Sequence, residues 1–81
     1  MSILQPIKWQ YDARNNTIDF NDYIEIGGKS YKFEMTYSPS EEQEQLLRWQ
    51  FQIRKVQIGN CHVEGNRLYG NISVIVFEGA C

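Results

Sequence analysis

The sequence predicts a mainly β fold, α+β by strict count, built as a small antiparallel sheet or a partly open barrel of five to six strands. Apolar residues recur two apart in segments such as 31–37 and 49–53, and glycine or asparagine pairs separate several of these segments. One short helical segment lies between the third and fourth predicted strands. Because successive side chains of a strand point to opposite faces, this spacing gives each strand one apolar and one polar face.

The first predicted strand runs over residues 5–11, and its apolar face carries Ile7, Trp9 and Tyr11. A turn at residues 12–16 contains two asparagines, which tolerate the backbone of hairpin loops. The second strand covers residues 17–26. Asp22 falls on its apolar parity, so we expect either a bulge at residues 21–22 or a bend at which water reaches the carboxylate, and we favour the bulge.

Gly27 and Gly28 predict a tight hairpin turn, because both central positions of the favoured turn need positive φ. The third strand then covers residues 29–37. A helix follows, with Ser38 as its N-cap and Pro39 at its first position. We expect this helix to end near Leu47 and to cover one end of the sheet.

Apolar and polar residues alternate again over residues 48–58, which predicts a fourth strand. Trp49, Phe51 and Ile53 are predicted to face inward. Val56 and Ile58 have the opposite parity, so a one-residue bulge near residues 54–55 is needed to keep them on the apolar face. Residues 59–60, Gly-Asn, predict a turn or a kink, and an extra hairpin at residues 59–64 stays open as an alternative.

Gly65 and Asn66 predict a two-residue hairpin loop, which would place Glu64 opposite Arg67, and His62 opposite Tyr69 two residues further on. The last strand covers residues 68–77. Its segment 74–77 is apolar at every position, and such a run is typical of a central strand that is covered on both faces.

Length and charge narrow the classes of function. The 81 residues predict a single domain, residues 1–81, and the formal net charge of -2 comes with no basic run. Nucleic-acid binding usually requires clustered Lys and Arg, so the sequence disfavours a nucleic-acid partner. No apolar stretch approaches the ~20 residues of a membrane span, and no secretion signal is visible, so we expect a cytoplasmic protein without a membrane partner. Cys61 and Cys81 are then expected as reduced thiols, although the sequence leaves a disulfide between them open.

Candidate chemistry centres on His62, the single histidine, which follows Cys61. A nucleophilic Cys–His pair needs the imidazole within hydrogen-bond reach of the sulfur, yet adjacent residues of a strand point to opposite faces. Structural zinc usually takes four ligands, which Cys61, His62 and Glu64 do not supply. The sequence therefore predicts no catalytic residue, no metal and no cofactor, and we expect no enzymatic activity.

The best candidate site is a partner-binding surface. In the predicted fourth strand the outward residues are Arg48, Gln50, Gln52 and Arg54, spaced at intervals of about 6.6–6.8 Å. Amide and guanidinium groups bind carboxylates and backbone groups with geometric specificity. The paired rings of His62 and Tyr69 would add a rigid, exposed contact. An ordinary solvated sheet face has a similar composition and stays open as an alternative.

We therefore expect a small non-catalytic protein-binding module. It would act as an inhibitor, adaptor or accessory subunit by docking on another protein, or it would form a homo-oligomer. The alternative rests on the order of elements: three strands, a short helix and two long strands match the oligonucleotide/oligosaccharide-binding barrel. A barrel of that kind would bind single-stranded nucleic acid or a small ligand.

Overall fold

The computed structural model describes residues 3–79. Six strands form one sheet in the order β1-β5-β6-β4-β3-β2, antiparallel except for one parallel contact between β4 and β6. The sheet is open, since β1 and β2 are its two edges. The predicted mainly β fold is confirmed. The elements in chain order are β1 (Ile3–Gln5), β2 (Trp9–Asp12), β3 (Thr17–Ile26), β4 (Lys29–Tyr37), α1 (Glu41–Arg48), β5 (Phe51–Glu64) and β6 (Arg67–Gly79).

The predicted first strand is interrupted, and its two parts pair at opposite edges of the sheet. β1 ends before Pro6, which has no backbone N–H to donate to a ladder. Lys8 then donates its N–H to Oδ2 of Asp22 at 3.1 Å, and its carbonyl accepts from the N–H of Asn21 at 3.1 Å. The favoured bulge at residues 21–22 is wrong, because the register between β3 and β4 is continuous there. Asp22 instead bonds the chain where the first strand breaks.

The helix begins two residues later than predicted. Its N-cap is Ser40, not Ser38: the Ser40 hydroxyl accepts from the N–H of Gln43 at 3.3 Å, and Oε1 of Gln43 accepts from the N–H of Ser40 at 3.1 Å. This reciprocal pair satisfies two backbone groups at once. The helix ends at Arg48, one residue past the expected end, and Leu47 packs against the core.

β5 begins at Phe51 and not at residue 48, because the helix end occupies the preceding residues. Trp49 closes the helix with its N–H bonded to the carbonyl of Gln45 at 2.9 Å, and Gln50 has a φ of 65°. Trp49 is consequently 66% exposed instead of facing inward. The predicted bulge near residues 54–55 is confirmed by a register shift at Ile53.

Two further register shifts occur along the β5–β6 hairpin. One leaves Ser73 as an extra residue on β6, and the other lies between Gly59 and His62, where Asn60 has a φ of 52°. The chain therefore kinks at residues 59–60 and continues as one strand, so the extra hairpin at residues 59–64 is absent.

A single apolar core lies on the inner face of the curled sheet. Its members are Ile7, Ile18, Phe20, Ile24, Phe33, Ile53, Val56, Ile58 and Leu68. The prediction that β6 is covered on both faces is wrong: Ile75 packs against the core, whereas Val74 and Val76 are 46% and 37% exposed. The single sheet has no second layer on that side among the described residues.

Candidate protein-binding surface

The four residues of the predicted ladder do not form one row. Arg48 is the last residue of α1, where its guanidinium bonds Oε1 of Glu44 at 2.7 Å. Gln50 lies in the connection between α1 and β5. Only Gln52 and Arg54 project from β5, and Nε of Arg54 lies 3.8 Å from a carboxylate oxygen of Glu78 on β6. The predicted ladder is therefore reduced to two residues at one end of β5.

His62 and Tyr69 lie near the other end of the same hairpin, and their predicted pairing is confirmed. The residues are directly opposite each other, and their rings stack with centroids 5.2 Å apart at an interplanar angle of 16°. Both rings are exposed at their outer surface, and Nε2 of His62 lies 3.7 Å from Oε1 of Glu64. Stacked, held rings of this kind lose little conformational freedom on binding a partner.

Two further exposed residues join Tyr69 on the same face of β6. Ile72 and Ile75 both pack against the core, and Ser73 between them is the extra residue of a register shift. Val74 and Val76 therefore project from the outer face, as Tyr69 does. We call the outward residues of this hairpin the ribbon face: Lys55, Gln57 and His62 on β5, and Tyr69, Asn71, Val74 and Val76 on β6.

Sequence reasoning did not place Val74 and Val76 on a surface, because an apolar run carries no sign of how many layers cover it. Simple alternation also puts Val74 on the opposite face from the outward residue Tyr69, and only the bulge at Ser73 brings the two to the same face. A signal was present in the polar residues that precede this run: Asn71 and Ser73 are unusual in a strand that is covered on both faces.

β6 also has a backbone edge with little pairing. Its ladder with β4 consists of Lys32 opposite Arg67, supported by the N–H of Lys32 bonded to the carbonyl of Asn66 at 2.9 Å. Beyond that point only β5 pairs with β6 in the described part of the chain. We call residues 69–79 on this side the free edge of β6. Unpaired strand edges are templates for adding another strand.

A salt-bridged group lies beside the ribbon face. Nζ of Lys32 lies 3.0 Å from Oε1 of Glu34, and a guanidinium nitrogen of Arg67 lies 3.7 Å from Oε2 of the same carboxylate. The hydrogen bond and the charge of Lys32, followed by the charge of Arg67, hold the pKa of Glu34 below its usual value. Lys32 also lies 5.8 Å from the ring centroid of Tyr23, a side chain that is 66% exposed.

The outer side of β2, β3 and β4 forms a shallow groove of about 690 Å³. Its polar lining consists of Lys8, Gln10, Asp19, Asn21, Glu34 and Thr36. Asp19 accepts a hydrogen bond from the hydroxyl of Thr36 at 2.8 Å across the two strands. The groove thus presents a mixture of amide, hydroxyl and carboxylate groups, with cations at its margin.

Cys61 and His62 point to opposite faces, as the extended backbone predicts. Sγ of Cys61 bonds the carbonyl of Ile58 at 3.3 Å and packs against the core, while the His62 ring lies on Tyr69. Burial raises the pKa of the Cys61 thiol, which reduces the fraction of reactive thiolate. Cys81, the other member of the disulfide left open above, lies outside the described residues.

Within residues 3–79 no three His, Cys, Asp or Glu side chains are grouped so that they could hold a metal ion. In the same part of the chain, no helix combines the length and the apolar character that crossing a bilayer requires. Comparison of the chain with protein-family models, with curated proteins and with solved structures found no match.

Proposed function

We propose that this chain is a small protein-binding module that acts without catalysis, by docking its ribbon face on a partner protein. The observation that carries the proposal is the exposed apolar strip of β6: Tyr69, Val74 and Val76 are 39%, 46% and 37% exposed on one face of one strand. Single exposed apolar residues need no explanation, but Val74 and Val76 are neighbours on the outer face, and a group of exposed apolar residues is typical of an interaction site.

The surroundings of this strip support a protein partner. Lys55 and Gln57 lie opposite Val76 and Val74, so polar groups border the apolar strip. An apolar centre with aromatic residues and a polar rim is the usual composition of protein interfaces. The stacked His62 and Tyr69 would provide the anchor, because aromatic residues held in place contribute most of the binding energy at such sites.

The experiment compares two tyrosine variants as baits for affinity capture from the native host, followed by titration of the captured protein. A His62→Ser/Tyr69→Ser variant should raise the Kd at least tenfold, since anchor residues are worth about 2 kcal/mol or more. Tyr23→Ser is the matched control, because Tyr23 is also an exposed tyrosine but lies on β3, which contributes no residue to the ribbon face.

Equal loss of binding in both variants, or no loss in either, would contradict the ribbon face as the docking site. An Arg48→Glu variant adds a further comparison. Because Arg48 is held on α1 by Glu44, away from the strand, its replacement should leave the partner's Kd unchanged.

A second candidate function is the binding of single-stranded nucleic acid or a small ligand by a barrel of the oligonucleotide/oligosaccharide-binding type. The strand order and the position of the helix support it, since the interrupted first strand pairs at both ends of the sheet. Tyr23, with Lys32 over its ring, offers a stacking surface beside the polar groove. The overall charge of -2 favours the protein partner.

Fluorescence anisotropy with labelled single strands separates the two functions. Binding to the groove should be measurable at low salt, weaken as salt is added and be lost in Tyr23→Ala. Absence of binding at low salt would contradict the nucleic-acid function and leave the protein-binding proposal unaffected.

A further inference from the structure

We infer that the free edge of β6 pairs with the same edge of a second copy of this chain, antiparallel and around a twofold axis. The inference goes beyond the proposed function, because it concerns the backbone edge of β6 and a second copy of the chain instead of the ribbon face and a different protein. This pairing would join the two sheets into one continuous sheet. The two β6 strands would be neighbours, and each β5 would lie on the far side of its own β6. Strand addition of this kind is a common mode of protein recognition.

The position of β4 limits which part of β6 is available. Lys32 of β4 occupies the edge at Arg67, so pairing with a second copy begins at Tyr69. From there to Gly79 the described strand has a neighbour on one side only. Edges of this length are normally protected by charge or by a proline, and between Tyr69 and Phe77 β6 contains neither.

The bulge at Ser73 selects the register. Because the extra residue reverses parity, Tyr69 and Asn71 share the outer face with Val74, Val76 and Glu78. The outward residues have odd numbers before the bulge and even numbers after it. In an antiparallel pair of two copies, the part of β6 before the bulge faces the part after the bulge in the other copy. Outward residues therefore meet outward residues only if an odd-numbered residue of one copy lies opposite an even-numbered residue of the other.

One such register uses almost the whole edge. It places Tyr69 opposite Glu78 of the second copy and Asn71 opposite Val76 of the second copy. A shift that placed Glu78 opposite Arg67 would collide with β4, which already pairs at Arg67. A shift the other way would leave part of the described edge unpaired.

The same register also matches the inner faces. Ile72 lies opposite Ile75 of the second copy, and both residues are only half buried against the core of their own chain. Gly70 lies opposite Phe77 of the second copy, so a ring covers a glycine across the strands. The chain already uses this arrangement internally, because the Phe51 ring lies about 3.0 Å from where a side chain at Gly79 would begin.

Sedimentation or light scattering over a wide concentration range tests the inference. The expected result is a concentration-dependent rise of the mass toward twice the 9.6 kDa of one chain. A mass of one chain at every concentration would overturn the inference. It would leave the proposed function standing, because that function is tested by capture of a different protein and by its loss in the His62→Ser/Tyr69→Ser variant.

A pair of lysine variants tests the site. Val74→Lys places two positive charges on either side of the twofold axis, so it should raise the dimer dissociation constant at least tenfold. Val63→Lys is the matched control: Val63 is 41% exposed on the same hairpin but lies outside the paired segment, so its dimer should persist. Equal dissociation by both variants, or by neither, would overturn the assignment.

Charge rescue tests the register. Val76→Lys alone should weaken the dimer, and adding Asn71→Asp should restore it, because the proposed register places these two positions directly opposite each other. Failure of the rescue, with both variants folded by circular dichroism, would overturn this register.

Discussion

The two long hairpins of the sheet, β3–β4 and β5–β6, differ in how regularly their strands pair. β3 and β4 keep one register from Ile18 opposite Tyr37 to Ile26 opposite Lys29. β5 and β6 shift register at three places. Because an extra residue reverses the face taken by the side chains that follow it, the irregular hairpin contributes to the core and still exposes apolar residues on its outer face. Both hairpins therefore build the core, and the bulges decide which apolar residues of the irregular one reach the outer face.

The largest expected effect comes from breaking the regular hairpin. Phe33 of β4 is 1% exposed, so Phe33→Ala should lower the free energy of unfolding by about 3–5 kcal/mol through lost burial and an unfilled cavity. Val76→Ala on the ribbon face should change it by no more than about 0.5 kcal/mol. Urea denaturation of both variants measures the difference, and a comparable loss in Val76→Ala would contradict the exposed position of that valine.

The next effect tests the kink in the irregular hairpin. A Cβ added at Gly70 would lie 2.5 Å from Cγ2 of Ile58 and 3.0 Å from the carbonyl oxygen of Gly59, so Gly70→Ala should cost about 1–3 kcal/mol. Gly59→Ala is the control, because its new Cβ would meet Ser73 at an acceptable 3.4 Å. Thermal unfolding of the two variants should rank Gly70→Ala as the less stable. The reverse order would show that the strands do not approach closely at Gly70.

The helix that connects the two hairpins provides a smaller effect. Ser40→Ala removes the hydroxyl that accepts from the N–H of Gln43 and should cost about 1 kcal/mol. Ser38→Ala should leave the melting temperature unchanged, because Ser38 does not cap the helix. A larger loss of melting temperature in Ser38→Ala than in Ser40→Ala would show that Ser38 is the N-cap, as the sequence predicted.

The smallest expected effect concerns the carboxylate that joins the two hairpins. Glu34 on β4 contacts Lys32 of its own strand and Arg67 of β6. Because its pKa is lowered in the folded chain, the stabilisation it provides is present above the usual carboxyl pKa and is lost as pH falls through the lowered value.

Melting temperatures of wild type and Glu34→Gln should therefore differ slightly at neutral pH and converge in acid. The same comparison in a Lys32→Gln background should show a smaller difference, since the largest cause of the lowered pKa has been removed. A difference that grows as pH falls would have the wrong sign for this contact.

Much of the fold was predictable because its signals are local. Gly27 and Gly28 both have positive φ, at 58° and 83°, and the strands on either side have the predicted bounds. The loop at Gly65 and Asn66 likewise placed His62 opposite Tyr69. In both cases a turn of known length determines which residues face each other.

The arginine ladder failed because two periodicities overlap at residues 46–51. The apolar residues Leu47, Trp49 and Phe51 alternate as in a strand, yet the N–H groups of Trp49 and Gln50 bond carbonyls of the last helical turn. These local hydrogen bonds continue the helix to Arg48 and postpone the strand. The alternation of apolar residues does not show whether the backbone forms helical hydrogen bonds or strand hydrogen bonds at these residues.

The amino-acid order by itself determined the mainly β character, the hairpin turns and the stacked His62 and Tyr69, because each depends on neighbours along the chain. Tertiary structure alone decided that Val74 and Val76 are exposed and that β6 keeps an open edge. Those properties depend on how many layers cover the sheet and where β4 diverges from β6, and both follow from contacts between residues distant in sequence.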